Sequence, residues 1–361
     1  MSAAVKDAIT AALRTVIDPS QKRDVVSLGF VQKVAYCDGV AAVSLGIPAN
    51  LLSPQLQQHL TDDIRATLLG ISGVKTVNCE FIAIAPRNTN SMPGVRHVVA
   101  VGAGKGGVGK STVAVLLAVG LQRLGYKVGL LDADVYGPSL PKLTGTETLQ
   151  PEVEAATGAL IPPMRDGIPI MSMGHLVPPD QAIVWRGPMA QKYVKEFIDR
   201  GKWGELDYLI VDLPPGTGDI PLTLAQSIPL TGAVIVCTPQ DVAMLDAVKA
   251  IRMYEKLGVI PLGIVENMSF YVCPQCGHRA EIFSHGGCEE ASQQLDIPFL
   301  GNIPINIDIR IHSDAGRMHD NFTRTEPEVV AALEHVVRQL VEQVAIRSGE
   351  QLPVPTLNIT G

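Results

Sequence analysis

The chain has 361 residues, 46% of them hydrophobic and only 4% aromatic, and its formal net charge is −7. This length accommodates a large α/β domain and a smaller one, with a core of Val, Ile, Leu and Ala of the kind that buried parallel strands prefer. The acidic balance and the lack of any basic tract exclude a nucleic-acid or anionic-membrane surface as the main partner.

No stretch joins a basic region to an apolar signal core, and no apolar run approaches a membrane span, so the expected compartment is the cytoplasm. Six scattered cysteines do not make a disulfide framework in a chain of this size. In a reducing compartment a close pair of them points to metal or redox work.

Residues 4–16 place Ala4, Val5, Ala8, Ile9, Ala12, Leu13 and Val16 at helical spacing, ended by Asp18-Pro19. Ala41, Val43, Leu45 and Ile47 alternate as in a half-buried strand. Ser53-Pro54 reads as an N-cap with Pro at the first helical position, and Leu56, Leu60, Ile64 and Leu68 follow down one face. Val77, Cys79, Phe81 and Ala83 alternate again. Residues 1–85 therefore read as a small α+β domain, with Cys37 and Cys79 in its core.

Through Val16-Ile17-Asp18-Pro19 and Leu28-Gly29-Phe30-Val31 this domain resembles the small N-terminal domain of iron–sulfur assembly and targeting proteins. Many relatives carry an acidic residue and a cysteine near the places of Ser20 and Asn50. The departure favours a docking or packing module over direct cluster chemistry. Residues 86–96, rich in turn formers, read as a linker.

Next comes the apolar run Val98-Val99-Ala100-Val101, then Gly104-Lys105-Gly106-Gly107-Val108-Gly109-Lys110-Ser111-Thr112 and an apolar helix pattern. G-x-x-x-x-G-K-[ST] between a buried strand and a helix is a phosphate loop. Its glycines let backbone N–H groups and the helix N-terminus converge on phosphate oxygens. Lys110 supplies a charge to the β/γ-phosphates of ATP and Ser111 offers its hydroxyl to Mg²⁺. The helix is expected to run from Lys110 to about Leu124 and to stop at Gly125.

The early lysine makes the loop resemble that of the MinD/ParA/nitrogenase-iron-protein ATPases. That resemblance implies that Lys105 reaches the nucleotide of a partner subunit in a homodimer. The strand 128–131 delivers Asp132-Ala133-Asp134, where acids leaving a strand beside a phosphate loop face Mg²⁺ or water. Asp132 through Ser139 resembles the first switch of the same ATPases, which implies that Asp134 orients or activates the attacking water.

Leu209-Ile210-Val211-Asp212 matches a Walker B strand whose carboxylate helps to hold hydrated Mg²⁺. Residues 213–219 read as a second switch. Val234 to Cys237 form another strand, and Asp241 is expected to cap the helix that follows. Gly263 to Ser269 end a further strand, and by resemblance Asn267 contacts the adenine edge. The expected fold is thus a P-loop NTPase with a mostly parallel sheet flanked by helices, spanning residues 97–345.

Cys273-Pro274-Gln275-Cys276-Gly277 places two thiols where they can grip one metal centre. The other half of a four-coordinate site can come from His278, His285 or Cys288 around Zn²⁺. It can also come from a second chain, with four thiolates around one [4Fe–4S] cluster. Loop, switch and C-P-x-C-G in this order resemble the Mrp/ApbC family of iron–sulfur cluster carrier ATPases. The resemblance implies an ATP-hydrolysing homodimer that takes a labile [4Fe–4S] cluster from donors and hands it to apo-proteins, with no nucleic acid and no membrane among its partners. A spatial-organising ATPase of the MinD/ParA type and an ATP-dependent nickel or zinc insertion chaperone are the alternatives.

Residues 297–304 read as a short strand, and residues 310–317 as a loop. Val329, Val330, Leu333, Val336, Val337, Leu340, Val341 and Val344 mark a packed helix over 326–345. Residues 346–361 read as a loose tail.

Overall fold

The computed structural model describes residues 2–19, 23–26, 28, 30–37, 39–48, 52–84, 92–135, 137–176 and 187–348. Ser20, Asn50, Tyr136, the linker residues 86–91 and the tail from 349 onward lie outside the described residues. The chain divides into two compact units, Met1–Asn88 with Ala345–Gly361, and Thr89–Val344.

The small unit contains α1 (Ser2–Leu13), β1 (Val31–Cys37), β2 (Val40–Pro48), α2 (Pro54–Leu69) and β3 (Thr76–Ile84). β1 is antiparallel to β2, and β2 is parallel to β3 across the α2 crossover. Ser53 Oγ accepts from Leu56 N at 3.1 Å and so caps α2. Leu56, Leu60, Ile64 and Leu68 are buried with Ile9, Leu13, Val43, Leu45 and Ile47. α1 ends at Leu13, short of the expected Val16, because Ile17 and Asp18 turn to pair with Arg23 and Asp24. Cys37 is not a core residue, since it is exposed at the end of β1, whereas Cys79 is half-buried on the edge strand β3 and packs against the core.

The large unit is built on β4 (Val95–Gly102), α3 (Lys110–Arg123), β5 (Val128–Asp132), α4 (Leu140–Thr144), β6 (Ile168–Ser172), α5 (Gly187–Arg200), β7 (Leu206–Asp212) and α6 (Asp219–Ser227). It continues with β8 (Gly232–Cys237), α7 (Asp241–Lys256), β9 (Pro261–Val272), α8 (Gly287–Leu295), β10 (Phe299–Ile305), α9 (Ile307–Asp314) and α10 (Pro327–Ser348). Val95 and Arg96, the last two residues of the expected linker, are already strand. The parallel strands run in the order β6-β5-β7-β4-β8-β9-β10.

Because strand side chains alternate between faces, β7 sends Tyr208 and Ile210 into one core and Leu209 and Val211 into the other. The first core is closed by α3 and α10, the second by α5, α6 and α7. Each buried Val, Leu or Ile there contributes roughly 1.5–3 kcal/mol. Among the described residues no helix is long and apolar enough to cross a membrane.

Three local expectations change. The N-cap of α7 is Gln240, with Asp241 already in the first turn, where its carboxylate still complements the helix dipole. Residues 310–317 are not a plain loop, since Asn306 Oδ1 accepts from Asp308 N and Ile309 N and starts α9. α10 continues past 345; in the small unit Ile346 is buried and Arg347 Nη1 donates to Leu28 O at 2.7 Å.

Candidate functional site

The loop between β4 and α3 has the geometry that its glycines predict. Gly107 and Gly109 have φ of +82° and +81°, a region that disfavours any side chain. Gly104 sits so close to α7 that an added Cβ would collide with the Asp246 carbonyl and the Ala247 nitrogen. Lys105 is half-buried, and among the described residues it makes no ion pair.

Lys110, the first residue of α3, points its ammonium at the ends of β5 and β7. Its Nζ lies 2.6 Å from Asp212 Oδ1 and 3.2 Å from Asp134 Oδ2, with Ser111 Oγ at 3.4 Å. Burial alone pulls the lysine down, but Asp212 and Asp134 more than offset it and hold the ammonium above its usual range. Asp212 is itself pushed up, by burial first, with Lys110 and Ser111 pulling back.

Asp132 does not face Mg²⁺ or water as expected. Its carboxylate turns into the protein, where Asp134 N, Leu140 N and Ser172 Oγ donate to it at 3.0, 3.1 and 3.0 Å. It thereby fixes both ends of the segment 134–140. Burial and then the Asp212 charge push Asp132 up to about 8.

Three buried acids thus cluster near one ammonium, and Asp134 and Asp212 are the two that meet it directly. Asp134 Oδ1 and Asp212 Oδ2 are both buried without a hydrogen-bond partner. Hard oxygen donors left over in this way, beside the Ser111 hydroxyl, fit a divalent cation such as Mg²⁺. The segment after β7 is tied down by Leu213 N to Val101 O at 3.1 Å and Gly216 N to Ala103 O at 2.8 Å.

Asn267 is 7% exposed, and its Nδ2 donates to Val108 O at 2.8 Å, so it supports the phosphate loop from below. Sequence reasoning offered it only as a base contact. The next residue, Met268, has φ of +57°, and the pairing of β9 with β10 slips between Asn267 and Tyr271. This bulge re-aims the rest of β9.

Directly after β9 comes the cysteine hairpin. Gly277 N donates to Cys273 O at 2.8 Å, Cys273 N donates to His278 O at 3.0 Å, and Arg279-Ala280 pairs back onto Val272 and Tyr271. The backbone N–H groups of Gln275 and Cys276 point at the Cys273 sulfur and lower its pKa, favouring the thiolate that a metal needs. Cys273 is partly exposed and Cys276 exposed.

The intrachain zinc alternative finds no support, since no group of three or more His, Cys, Asp or Glu is placed to hold a metal among the described residues. Cys288 is 0% exposed in the core and lies beside Cys237 under the Thr238 carbonyl. That partner thiol, with burial, drives its pKa strongly upward. Sequence reasoning also missed Glu266, a buried carboxylate whose neighbours are Ser269, His285 and the start of α8.

A parallel sheet with a glycine loop, a buried lysine and a strand-end carboxylate at one end defines a P-loop NTPase. A family model described as the NUBPL iron-transfer P-loop NTPase matches residues 94–344, and one described as an iron-sulfur cluster assembly protein matches residues 6–79. The chain belongs to this iron-transfer P-loop NTPase family.

The iron-sulfur cluster carrier protein of Deinococcus radiodurans is 46% identical over 355 residues, covering 97% of this chain and 98% of that one. That of Escherichia coli strain K12 is 41% identical over 358 residues, 97% and 95% of the two chains. A nucleotide-binding protein from Archaeoglobus fulgidus, solved in complex with ADP, is 41% identical with a TM-score of 0.58 over 66% of this chain and 93% of its own. The cell division ATPase MinD of Pyrococcus furiosus shares the fold at 20% identity, with a TM-score of 0.52 over 68% of this chain and 98% of its own.

Proposed function

We propose that the protein is a cytoplasmic, ATP-hydrolysing homodimer that carries a [4Fe–4S] cluster on Cys273 and Cys276 of both subunits. It receives the cluster from donor proteins and delivers it to apo-proteins. One observation carries this reading: a solvent-facing hairpin that places Cys273 and Cys276 side by side, with backbone N–H groups lowering the Cys273 pKa, stands in the same compact unit as the phosphate loop. The names of the relatives as cluster carriers over nearly the whole length support it. Two thiols supply half of a four-thiolate site, and a second copy supplies the rest.

In this reading Gly104 through Thr112 wrap the phosphates. Lys110 leaves its carboxylates to meet the β/γ-phosphates, and Ser111 and Asp212 would hold Mg²⁺, which would supply charge neutralisation for phosphoryl transfer. Asp134 orients the attacking water, and Lys105 reaches the partner's nucleotide. Asn267 supports the loop and reads the base. The domain plan is a small domain at 1–85, a linker from 86 and an ATPase domain that takes in β4 from Val95; α10 continues to Ser348, so a tail begins only after it. Movement of residues 134–139 and 213–219 couples nucleotide state to cluster holding.

The test is anaerobic reconstitution with iron and sulfide of wild type beside Cys273→Ser and Cys276→Ser. A brown species with about four irons per dimer, lost in both variants, is expected. Colourless protein holding zinc overturns the reading and favours a MinD/ParA-type switch.

A further inference from the structure

A directed chain of hydrogen bonds runs from Arg279, at the base of the cysteine hairpin, to Glu266, the residue before Asn267. Ser269 Oγ lies 2.5 Å from Glu266 Oε1 and 2.8 Å from His285 Nδ1, and Arg279 Nη2 lies 3.3 Å from His285 Nε2. The donor count fixes the directions. Ser269 has one hydroxyl hydrogen, which goes to the carboxylate, so His285 Nδ1–H donates to Ser269 and Nε2 accepts from the Arg279 guanidinium.

Glu266 anchors the other end. It is 0% exposed and also receives Gly286 N at 3.3 Å and Cys288 N at 3.0 Å. Arg279 lies over the Phe270 ring, 3.8 Å from its centroid, and belongs to the strand pair that closes the cysteine hairpin. The residue after Glu266 is Asn267, whose Nδ2 holds Val108 O. That carbonyl belongs to the Val108–Gly109 peptide, in the stretch whose N–H groups receive phosphate. The Val108–Gly109 peptide is thus hydrogen-bonded to the residue next to one end of the chain, and the hairpin is joined to the other end.

We propose that His285 is the positioning residue through which nucleotide at the loop and the Cys273–Cys276 hairpin sense each other. This rests on the carrier reading only for the biological use of the hairpin, not for the coupling itself. Without the His285 link, the hairpin loses its side-chain tie to Glu266 and keeps its chain connections to β9 and α8, beyond a bulge after which the β9–β10 ladder resumes at Tyr271.

The test uses the full-length, metal-free, reduced protein with and without Mg²⁺ and a non-hydrolysable ATP analogue. Iodoacetamide labelling at Cys273 and Cys276 is followed by peptide mass spectrometry, with exposed Cys37 as the reference. A several-fold, nucleotide-dependent change in rate is expected in wild type. It disappears in His285→Ala and is weakened in His285→Asn, whose amide replaces Nδ1–H but offers Arg279 no acceptor, while analogue affinity is the same in all three. Arg279→Met, an exposed change, weakens the response in the same direction.

A full response in His285→Ala, or none in wild type, overturns the coupling. Iron held per dimer is read separately on the same proteins. Failure to hold iron sinks the carrier reading and leaves the labelling result standing.

Discussion

Lys110 Nζ and Asp212 Oδ1 meet at 2.6 Å, with side chains 6% and 0% exposed, so the phosphate-loop lysine is paired with the strand-end carboxylate of β7. The pair keeps the ammonium charged and aimed despite its burial. In the proposed reading phosphate would exchange one anionic partner of Lys110 for another and leave the Asp212 carboxylate available to a cation.

Lys110→Ala removes the lone cation among three buried acids. Nucleotide affinity is expected to fall on the order of a hundredfold, about 2.8 kcal/mol, measured by calorimetry. Stability of the empty protein also falls, by roughly 3–5 kcal/mol if the acids stay ionised. Asp132 and Asp212 already sit above the usual carboxylate range, and without Lys110 they move further up. A raised folded-state pKa favours folding at low pH and loses that contribution as pH rises. The deficit against wild type is therefore larger at pH 9 than at pH 6; an equal deficit in urea midpoint at the two pH values would refute this account.

The loop glycines are not equivalent. Gly107→Ala meets open space and suffers only from its left-handed backbone, a cost of about 1–2 kcal/mol. Gly104→Ala drives a methyl group into the backbone of α7, so either the loop or the helix must shift. Gly104→Ala is expected to lower both nucleotide affinity and thermal midpoint more than Gly107→Ala does. The reverse order in a paired titration and melt would contradict the packing described.

What was readable in the sequence followed from chemistry repeated along the chain. The phosphate loop, the strand-end acids and the cysteine pair each combine residue type with spacing, and Ser53 and Leu56 to Leu68 signalled α2 in the same way. Contacts across the fold were not readable. That Asp132 caps the segment after β5 depends on Ser172, forty residues away, and the Asn267 link to Val108 spans 159 residues. α9 was missed because its cap, Asn306, follows a proline-bounded strand that resembled loop chemistry.

Cys288 attracted attention as a spare ligand, and its surroundings now argue for an inert thiol. Iodoacetamide is expected to label Cys37, Cys273 and Cys276 in the native protein and to leave Cys237 and Cys288 unmodified until denaturant is added. Cys288→Ala leaves a small cavity costing about 1 kcal/mol, with iron per dimer unchanged. Loss of iron in Cys288→Ala, with folding intact by circular dichroism, would return Cys288 to the ligand set.

His175 provides the clearest pH signature. It is 3% exposed, and its Nε2 lies 2.9 Å from Thr146 Oγ1, which lies 3.0 Å from Thr144 Oγ1. Thr144 donates its hydrogen to Leu140 O at 2.7 Å, so Thr146 donates to Thr144 and His175 Nε2–H donates to Thr146. Nδ1 is left buried and unpartnered, and a proton there would create an uncompensated charge. Burial accordingly lowers the imidazole to about 4. A lowered folded-state pKa contributes stability that is complete above the unfolded value near 6.5 and is lost as pH falls towards 4. Between those limits wild type should lose roughly 3 kcal/mol relative to His175→Gln, which keeps a donor for Thr146 and cannot titrate. The comparison is by urea unfolding at pH 7.5 and pH 4.5; parallel losses in the two proteins would mean that His175 is already able to hold its proton in the folded state.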